Sequence, residues 1–222
     1  MKFNPKNTNN LLSAIIVKNN MLFSKFIYQY FLEKYFHSKF SCCQLEEKTL
    51  TEMTDYYSIS RNFKDFKKFK NNIINEINNN YYGSHGINRS NDELVKYWKS
   101  KYNFNNLKSA ASKFLYIIFA DRPPYDSINK KALNDIYNEF KDYDYYIYKN
   151  KFEEVSDKIK EDLYDFQSII DEIFIKNNVL FDASDIDHSI FKIKFTDLIL
   201  QAYNSHRSIR TILKSRFNIR KA

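Results

Sequence analysis

Glycine occurs only twice in the 222 residues, and this scarcity limits what the chain can fold into. P-loops and dinucleotide-binding turns need several glycines where backbone amides approach a phosphate, so nucleotide-binding loops of those types are excluded. The tight turns of β-sandwiches and barrels favour residues with a positive φ angle, and the chain also lacks regularly spaced alternating strands. We therefore predict an all-α, mainly helical fold with a compact multi-helix architecture.

Apolar residues recur at intervals of three and four, which is typical of amphipathic helices. The pattern predicts helices at 8–18, 21–36, 60–79, 90–101, 107–119, 127–140, 151–175 and 185–203, with a looser stretch at 37–59. Asp126 follows Pro123 and Pro124 and stands where the N-cap of the 127–140 helix is expected. Since no internal repeat is visible, we expect a single domain over 1–222, with lobes at 1–104 and 105–222 and a basic tail at 206–222.

Lys and Arg exceed Asp and Glu by eight, and this excess is unevenly placed. Residues 1–111 carry 17 bases and 9 acids, 121–197 hold 11 bases and 18 acids, and 198–222 hold six bases and no acid. An acidic segment thus separates two basic ones, a pattern that favours a polyanionic partner such as DNA. We predict backbone contacts from two groups of side chains: Lys64, Lys67, Lys68 and Lys70, and Arg207, Arg210, Lys214 and Arg216.

The few cysteines and histidines argue against a metalloprotein. Cys42 and Cys43 are adjacent and the four histidines are scattered, so we predict no metal site, no cofactor and no disulfide framework. No run approaches the roughly 18 uninterrupted apolar residues of a membrane span, and the N-terminus lacks a signal-peptide pattern. We expect a cytoplasmic monomer that does not bind membranes.

Two short segments carry a resemblance to a known family. Residues 109–115 read SAASKFL and residues 122–127 read RPPYDS. Over 105–133 the chain resembles the active-site region of the helix-hairpin-helix superfamily of DNA glycosylases, in its 8-oxoguanine glycosylase branch. In that branch a lysine opening one helix and an aspartate beginning the next, after a proline, flank the base pocket. The resemblance implies a fold of that superfamily, with Lys113 and Asp126 as catalytic residues.

Each of these residue types suits cleavage of an N-glycosidic bond. Positive charge develops on the sugar, and the Asp126 carboxylate would stabilise that charge or orient an attacking water. Lys113 would attack the sugar carbon and form a Schiff base, with strand nicking as a side reaction. The segment 107–126 lacks the glycines usual in the family's hairpin, and the spacing from Lys113 to Asp126 is shorter than usual. The alternative is therefore a glycosylase that uses Asp126 alone, with water as the nucleophile.

Glycosylases extrude the target nucleotide and hold its base between aromatic or apolar faces. We expect the substrate to be double-stranded DNA with a modified base, either in repair or in defence against phages with modified DNA. The residues predicted to contact the extruded nucleotide lie in the glycine-containing loop and around the proline turn: Tyr81, Tyr82, Gly83, His85, Tyr116, Arg122 and Tyr125.

Two other classes of function remain open. A non-catalytic nucleic-acid-binding module needs only the basic helix at 60–79 and the basic tail. An abortive-infection ribonuclease toxin is the other, and such toxins often carry an arginine four to six residues before a histidine. None of the four histidines here has an arginine at that distance, so this second alternative lacks its main motif.

Overall fold

The computed structural model describes residues 20–60, 63, 65–79, 91–102, 108–137, 144–160, 162 and 189–217. Within these ranges the chain forms nine α-helices and no β-strand, which confirms the predicted all-α fold. They are α1 Asn20–Ser41, α2 Glu47–Tyr56, α3 Phe66–Asn78, α4 Asn91–Tyr102, α5 Lys108–Phe119, α6 Ser127–Tyr137, α7 Tyr145–Lys158, α8 Ser189–Ser205 and α9 Arg207–Arg216. None of these nine is both long and apolar enough to cross a bilayer. The helix predicted at 8–18 lies outside the described residues.

The chain divides into two compact units. We call Leu32–Tyr125 the middle unit; it contains the end of α1 and helices α2 to α5. The residues up to Phe31 and those from Asp126 onward form the terminal unit, with the start of α1 and helices α6 to α9. The unit boundaries fall after residues 31 and 125, whereas the predicted lobes meet after residue 104. The single domain with those two lobes stays a prediction.

An aromatic cluster forms the core of the middle unit. The ring of Phe114 in α5 lies edge-on to those of Trp98, Phe40 and Phe69, with centroids 5.2, 5.6 and 6.2 Å away. All four rings are buried, and edge-to-face contact is the favoured arrangement of aromatic pairs. Because α1, α3, α4 and α5 each contribute one ring, this cluster holds four helices of the unit together.

Helix α8 is the core of the terminal unit. Twelve of its 17 residues are buried, so it must be covered on nearly every side, and α6, α7 and α9 all pack against it. The start of α1 adds Phe26 and Tyr30, whose rings lie edge-on to Phe191 at 5.4 and 5.1 Å. The other helices of the unit are therefore organised around α8.

Helix α2 lies in the stretch predicted to be looser. Its buried residues Thr49, Leu50, Met53 and Thr54 form one face, which packs toward α3. Threonine and tyrosine have low helix propensity, and a ten-residue helix gains most of its stability from tertiary packing. The looser stretch was therefore a wrong prediction for 47–56, because long-range packing outweighs local propensity.

Four helix boundaries lie five or more residues from their predicted positions, and the largest difference is the end of α7, which is Lys158 and not residue 175. Helix α1 continues past residue 36 to Ser41. Helix α3 begins after Asp65, whose carboxylate accepts a hydrogen bond from the Lys68 amide at 3.0 Å, and not at residue 60. Helix α7 begins six residues before the predicted start at 151, since Asp144 caps it by accepting from the Tyr146 amide at 3.1 Å. In both capped helices an aspartate supplies an acceptor for a first-turn amide, which is favourable at an N-cap.

Three helices are followed by non-glycine residues in the left-handed region. Cys43, Ser58 and Ala120 have φ angles of 52°, 54° and 52° and follow α1, α2 and α5. The left-handed conformation costs a non-glycine residue roughly 1–2 kcal/mol, and glycine is the common choice after a helix. Ala120 is nevertheless held by the hydrogen bond from its amide to the Tyr116 carbonyl at 2.7 Å. Ala120 is the first residue of the segment that connects α5 to α6 and ends at Asp126.

Candidate functional site

Asp126 caps helix α6, as the sequence predicts. Its Oδ1 accepts hydrogen bonds from the amides of Ile128 at 2.7 Å and Asn129 at 3.4 Å. Its main-chain carbonyl accepts from the Lys130 amide at 2.9 Å, which begins the helix. The positive end of the helix dipole also favours a carboxylate at this position. A half-buried carboxylate of fixed direction therefore stands directly after the proline turn.

Two serines of α5 hold the residue before Asp126. Ser112 Oγ accepts a hydrogen bond from the Tyr125 amide at 2.8 Å, and Ser109 Oγ donates one to the Tyr125 carbonyl at 3.0 Å. Both main-chain groups of Tyr125 are thus bound to one helix. No function was predicted for Ser109 and Ser112; the available signal is a pair of serines three residues apart in a mostly apolar helix.

Lys113 also lies on α5, and its contacts are with Tyr57. Its Nζ donates a hydrogen bond to the Tyr57 carbonyl at 3.3 Å and lies 5.8 Å from the centre of the Tyr57 ring. Burial, followed by the charge of Glu33, raises the pKa of Tyr57 well above its usual range. Lys113 belongs to the middle unit and Asp126 to the terminal unit. Their joint action on a substrate stays a prediction.

The other residues predicted to contact the substrate differ in how deeply they are buried. Tyr116 is fully buried and donates its hydroxyl to Glu33 Oε2 at 2.7 Å, which does not fit stacking on an extruded base. Arg122 is 7% exposed, with its guanidinium bonded to Asp121 at 2.9 Å and lying over the Phe119 ring. Tyr125 is half-buried. Tyr81, Tyr82, Gly83 and His85 lie outside the described residues.

The basic side chains predicted on α3 differ in exposure. Lys67 and Lys68 are exposed on the first turn of the helix. Lys70 is bonded to Glu47 at 2.7 Å, and this hydrogen bond lowers the pKa of the Glu47 carboxyl. Lys64 lies outside the described residues. Of the three described lysines, Lys67 and Lys68 are therefore the best placed for a phosphate.

The described part of the basic tail forms helix α9, and most of its predicted cations are bound to carboxylates. Lys214 Nζ lies 3.0 Å and Arg210 Nε 4.0 Å from Asp135, and both terminal nitrogens of Arg216 contact Asp162. Arg207 is exposed. DNA phosphates would have to compete with these carboxylates for three of the four cations.

Asp135 provides a pH-dependent bond between α6, α8 and α9. Burial alone would raise its pKa, but hydrogen bonds from Tyr203 (2.5 Å) and Lys214 (3.0 Å) lower it below the ordinary value of 3.8. A pKa that is lower in the folded state stabilises the fold above the unfolded-state pKa, and this contribution is lost as the pH falls through the folded-state pKa.

Asp135→Asn should therefore destabilise the protein at neutral pH but much less in acid. Because the carboxylate is 47% exposed, we expect a loss of about 0.5–1 kcal/mol in the free energy of unfolding at about pH 7. Urea unfolding followed by circular dichroism checks this, and the difference from wild type should be smaller at about pH 3, below the ordinary value of 3.8, than at about pH 7. An equal loss at both pH values would contradict the assignment.

Asp126, at the N-cap of α6, is the best-defined candidate site among the described residues. In the part of the chain that the structure describes, no group of three or more His, Cys, Asp or Glu side chains could hold a metal ion. The chemical group at this site is the Asp126 carboxylate, which the Ile128 and Asn129 amides hold. Comparisons of the chain with protein-family models, with curated proteins and with solved structures found no match.

Proposed function

We propose that this protein binds DNA and removes a modified base by cleaving the N-glycosidic bond, with Asp126 as the catalytic carboxylate. The observation that carries the proposal is the fixed direction of the Asp126 carboxylate, whose Oδ1 accepts hydrogen bonds from the Ile128 and Asn129 amides of α6. A carboxylate that is already oriented needs no costly rearrangement as positive charge develops on the sugar. The resemblance at 109–127 gives the same residue this function.

The two oxygens of Asp126 would have different tasks. Oδ1 accepts hydrogen bonds from the Ile128 and Asn129 amides, whereas no hydrogen bond to Oδ2 occurs within the described ranges. Oδ2 would face the sugar and take a proton from the attacking water. The water oxygen forms a bond to the sugar carbon, and the N-glycosidic bond breaks with its electron pair leaving on the base, which then takes up a proton. The products are a free base and an abasic sugar.

Water is the nucleophile that we favour over Lys113. The Lys113 ammonium is hydrogen-bonded to Tyr57, which supports a structural function for this side chain. Attack by the lysine amine would instead give a Schiff base that borohydride converts into a stable adduct. An adduct that forms with wild type and is lost in Lys113→Ala would assign the attack to the lysine and overturn the choice of water.

The direct test is mass spectrometry of bases released from duplex DNA that carries ordinary, oxidised, alkylated or phage-type hypermodified bases. We expect release of one class and retention of the others, since the pocket of a glycosylase selects the extruded base. An oxidised or alkylated base would indicate repair, and a hypermodified base would indicate defence against phages. If DNA is bound and no base is released, a non-catalytic binding module replaces this proposal.

Lys67 and Lys68 should contribute to DNA affinity through phosphate contacts. Each lysine that neutralises a phosphate adds about 0.9 to the slope of log affinity against log salt concentration. The double variant Lys67→Ala/Lys68→Ala should therefore reduce the slope by about 1–2, as measured by fluorescence anisotropy. Lys151→Ala is the matched control, because Lys151 is paired with Glu154 at 3.0 Å on α7. An unchanged slope in the double variant would show that this face of α3 does not contact DNA.

A further inference from the structure

Helix α8 carries an ion pair in its buried interior. Lys194 and Asp197 are each about 5% exposed, and Lys194 Nζ lies 2.8 Å from Asp197 Oδ2. Gln201 donates a further hydrogen bond to Oδ2 at 2.9 Å. A buried ion pair loses so much hydration that apolar residues of similar size often stabilise a protein equally well. A gain in stability alone therefore does not account for this pair, and the further hydrogen bonds of Asp197 indicate what else it does.

The second oxygen of Asp197 is bound by the first turn of α6. Asn129 is fully buried, and its Nδ2 donates to Asp197 Oδ1 at 2.6 Å. The main-chain amide of the same asparagine donates to Asp126 Oδ1 at 3.4 Å. One residue thus joins the core of α8 to the proposed catalytic carboxylate.

Tyr148 of α7 lies near this arrangement, and its side chain is fully buried. Burial, followed by the charge of Asp197, raises the pKa of Tyr148, and the charge of Asp126 adds to this effect. Both carboxylates therefore lie close enough to affect the same buried hydroxyl.

We propose that Asp197 and Asn129 are positioning residues for Asp126. The carboxylate of Asp197, held by Lys194, fixes the Asn129 side chain, and Asn129 fixes the first turn of α6 with its cap. The anchoring of this turn stands on the contacts above, whereas its effect on catalysis rests on the proposed base excision. Loss of the anchor would let the Asp126 carboxylate leave its productive direction, and small displacements of a catalytic group reduce rates strongly.

The test replaces the pair by apolar residues in Lys194→Met/Asp197→Leu, because a single substitution would leave a buried charge unpaired. In the full-length protein, we expect hydrogen exchange of the Ile128 and Asn129 amides to become about tenfold faster, with Leu133 in the same helix unchanged. In the base-release assay, kcat should fall about 10- to 100-fold while KM stays the same. If the pair had only a structural function, its replacement would leave the exchange of these two amides unchanged and would not lower kcat at constant KM.

The matched control is Lys192→Met/Asp157→Leu, which removes an exposed ion pair (3.3 Å) between Lys192 of α8 and Asp157 of α7. It should leave the exchange of the α6 amides and kcat at wild-type values. Asn129→Ala is a second variant that keeps the ion pair, and it should reproduce the faster exchange of the Ile128 amide even if the first variant does not fold. Unchanged exchange in the folded variants overturns the positioning of Asp126. If exchange is faster in the variants but the wild-type protein releases no base, the anchor is supported and the proposed base excision is overturned.

Discussion

Asp126→Asn should reduce base release by about 10²- to 10³-fold while DNA affinity stays close to that of wild type. Asparagine is as good an N-cap as aspartate, so its Oδ1 can still accept the amides of Ile128 and Asn129. The substitution removes the negative charge that would stabilise the sugar in the transition state, and it removes no contact with a phosphate. The loss should therefore appear in kcat and not in binding.

Asp144→Asn is the matched control for this experiment. Asp144 caps α7 in the same terminal unit, where it accepts a hydrogen bond from the Tyr146 amide at 3.1 Å. Both variants exchange a capping carboxylate for an amide, but only Asp126 has a proposed chemical function. Single-turnover base release measures the effect, and anisotropy measures DNA affinity. Full activity in Asp126→Asn, or an equal loss in Asp144→Asn, would refute the catalytic assignment.

Phe114→Ala should destabilise the middle unit by about 3–5 kcal/mol. The ring is fully buried and makes edge contacts with aromatic side chains from three other helices. Truncation to alanine removes these contacts and leaves a cavity, because rings attached to separate helices cannot all move inward to fill it. Phe114→Leu keeps a large apolar side chain and should lose about half as much or less.

Trp98 gives a convenient measurement of this effect. It is the single tryptophan of the chain, and its ring centre lies 5.2 Å from that of Phe114. Its fluorescence during urea unfolding therefore reports on the middle unit. Lys96→Ala, an exposed position on the same helix, should stay within about 0.5 kcal/mol of wild type. If Phe114→Ala were no less stable than Lys96→Ala, the aromatic cluster would not be the core of this unit.

The helices with strong local signals could be predicted from the sequence. Helix α5 has a regular apolar spacing, and the proline turn with Asp126 marks the start of α6. Such caps depend on neighbouring residues, so their pattern is visible in the chain itself. Helix α2 could not be found in this way, because its threonines and tyrosine weaken the local signal and packing decides the outcome. The early start of α7 does have a local signal in its capping Asp144, which the predicted start at 151 left unused.

The candidate site was predictable only in part, for the same reason. The capping position of Asp126 is a local property. The hydrogen bond from Asn129 to Asp197 joins residues 68 positions apart, and the one from Tyr116 to Glu33 joins residues 83 positions apart. No spacing rule links such pairs. The aromatic character of Tyr116 suggested stacking on a base, but the buried Glu33 accepts its hydroxyl instead.

By itself, the sequence determined the helical class and the distribution of charge. Two glycines among 222 residues argue against turn-rich sheets, and the left-handed positions at Cys43, Ser58 and Ala120 are consequently filled by other residues. Only the tertiary structure decided which positive charges are already bound, since Asp135 and Asp162 approach the cations of α9 from distant parts of the chain. The physical reason is that composition counts charges, whereas electrostatic interactions depend on the distances that folding creates.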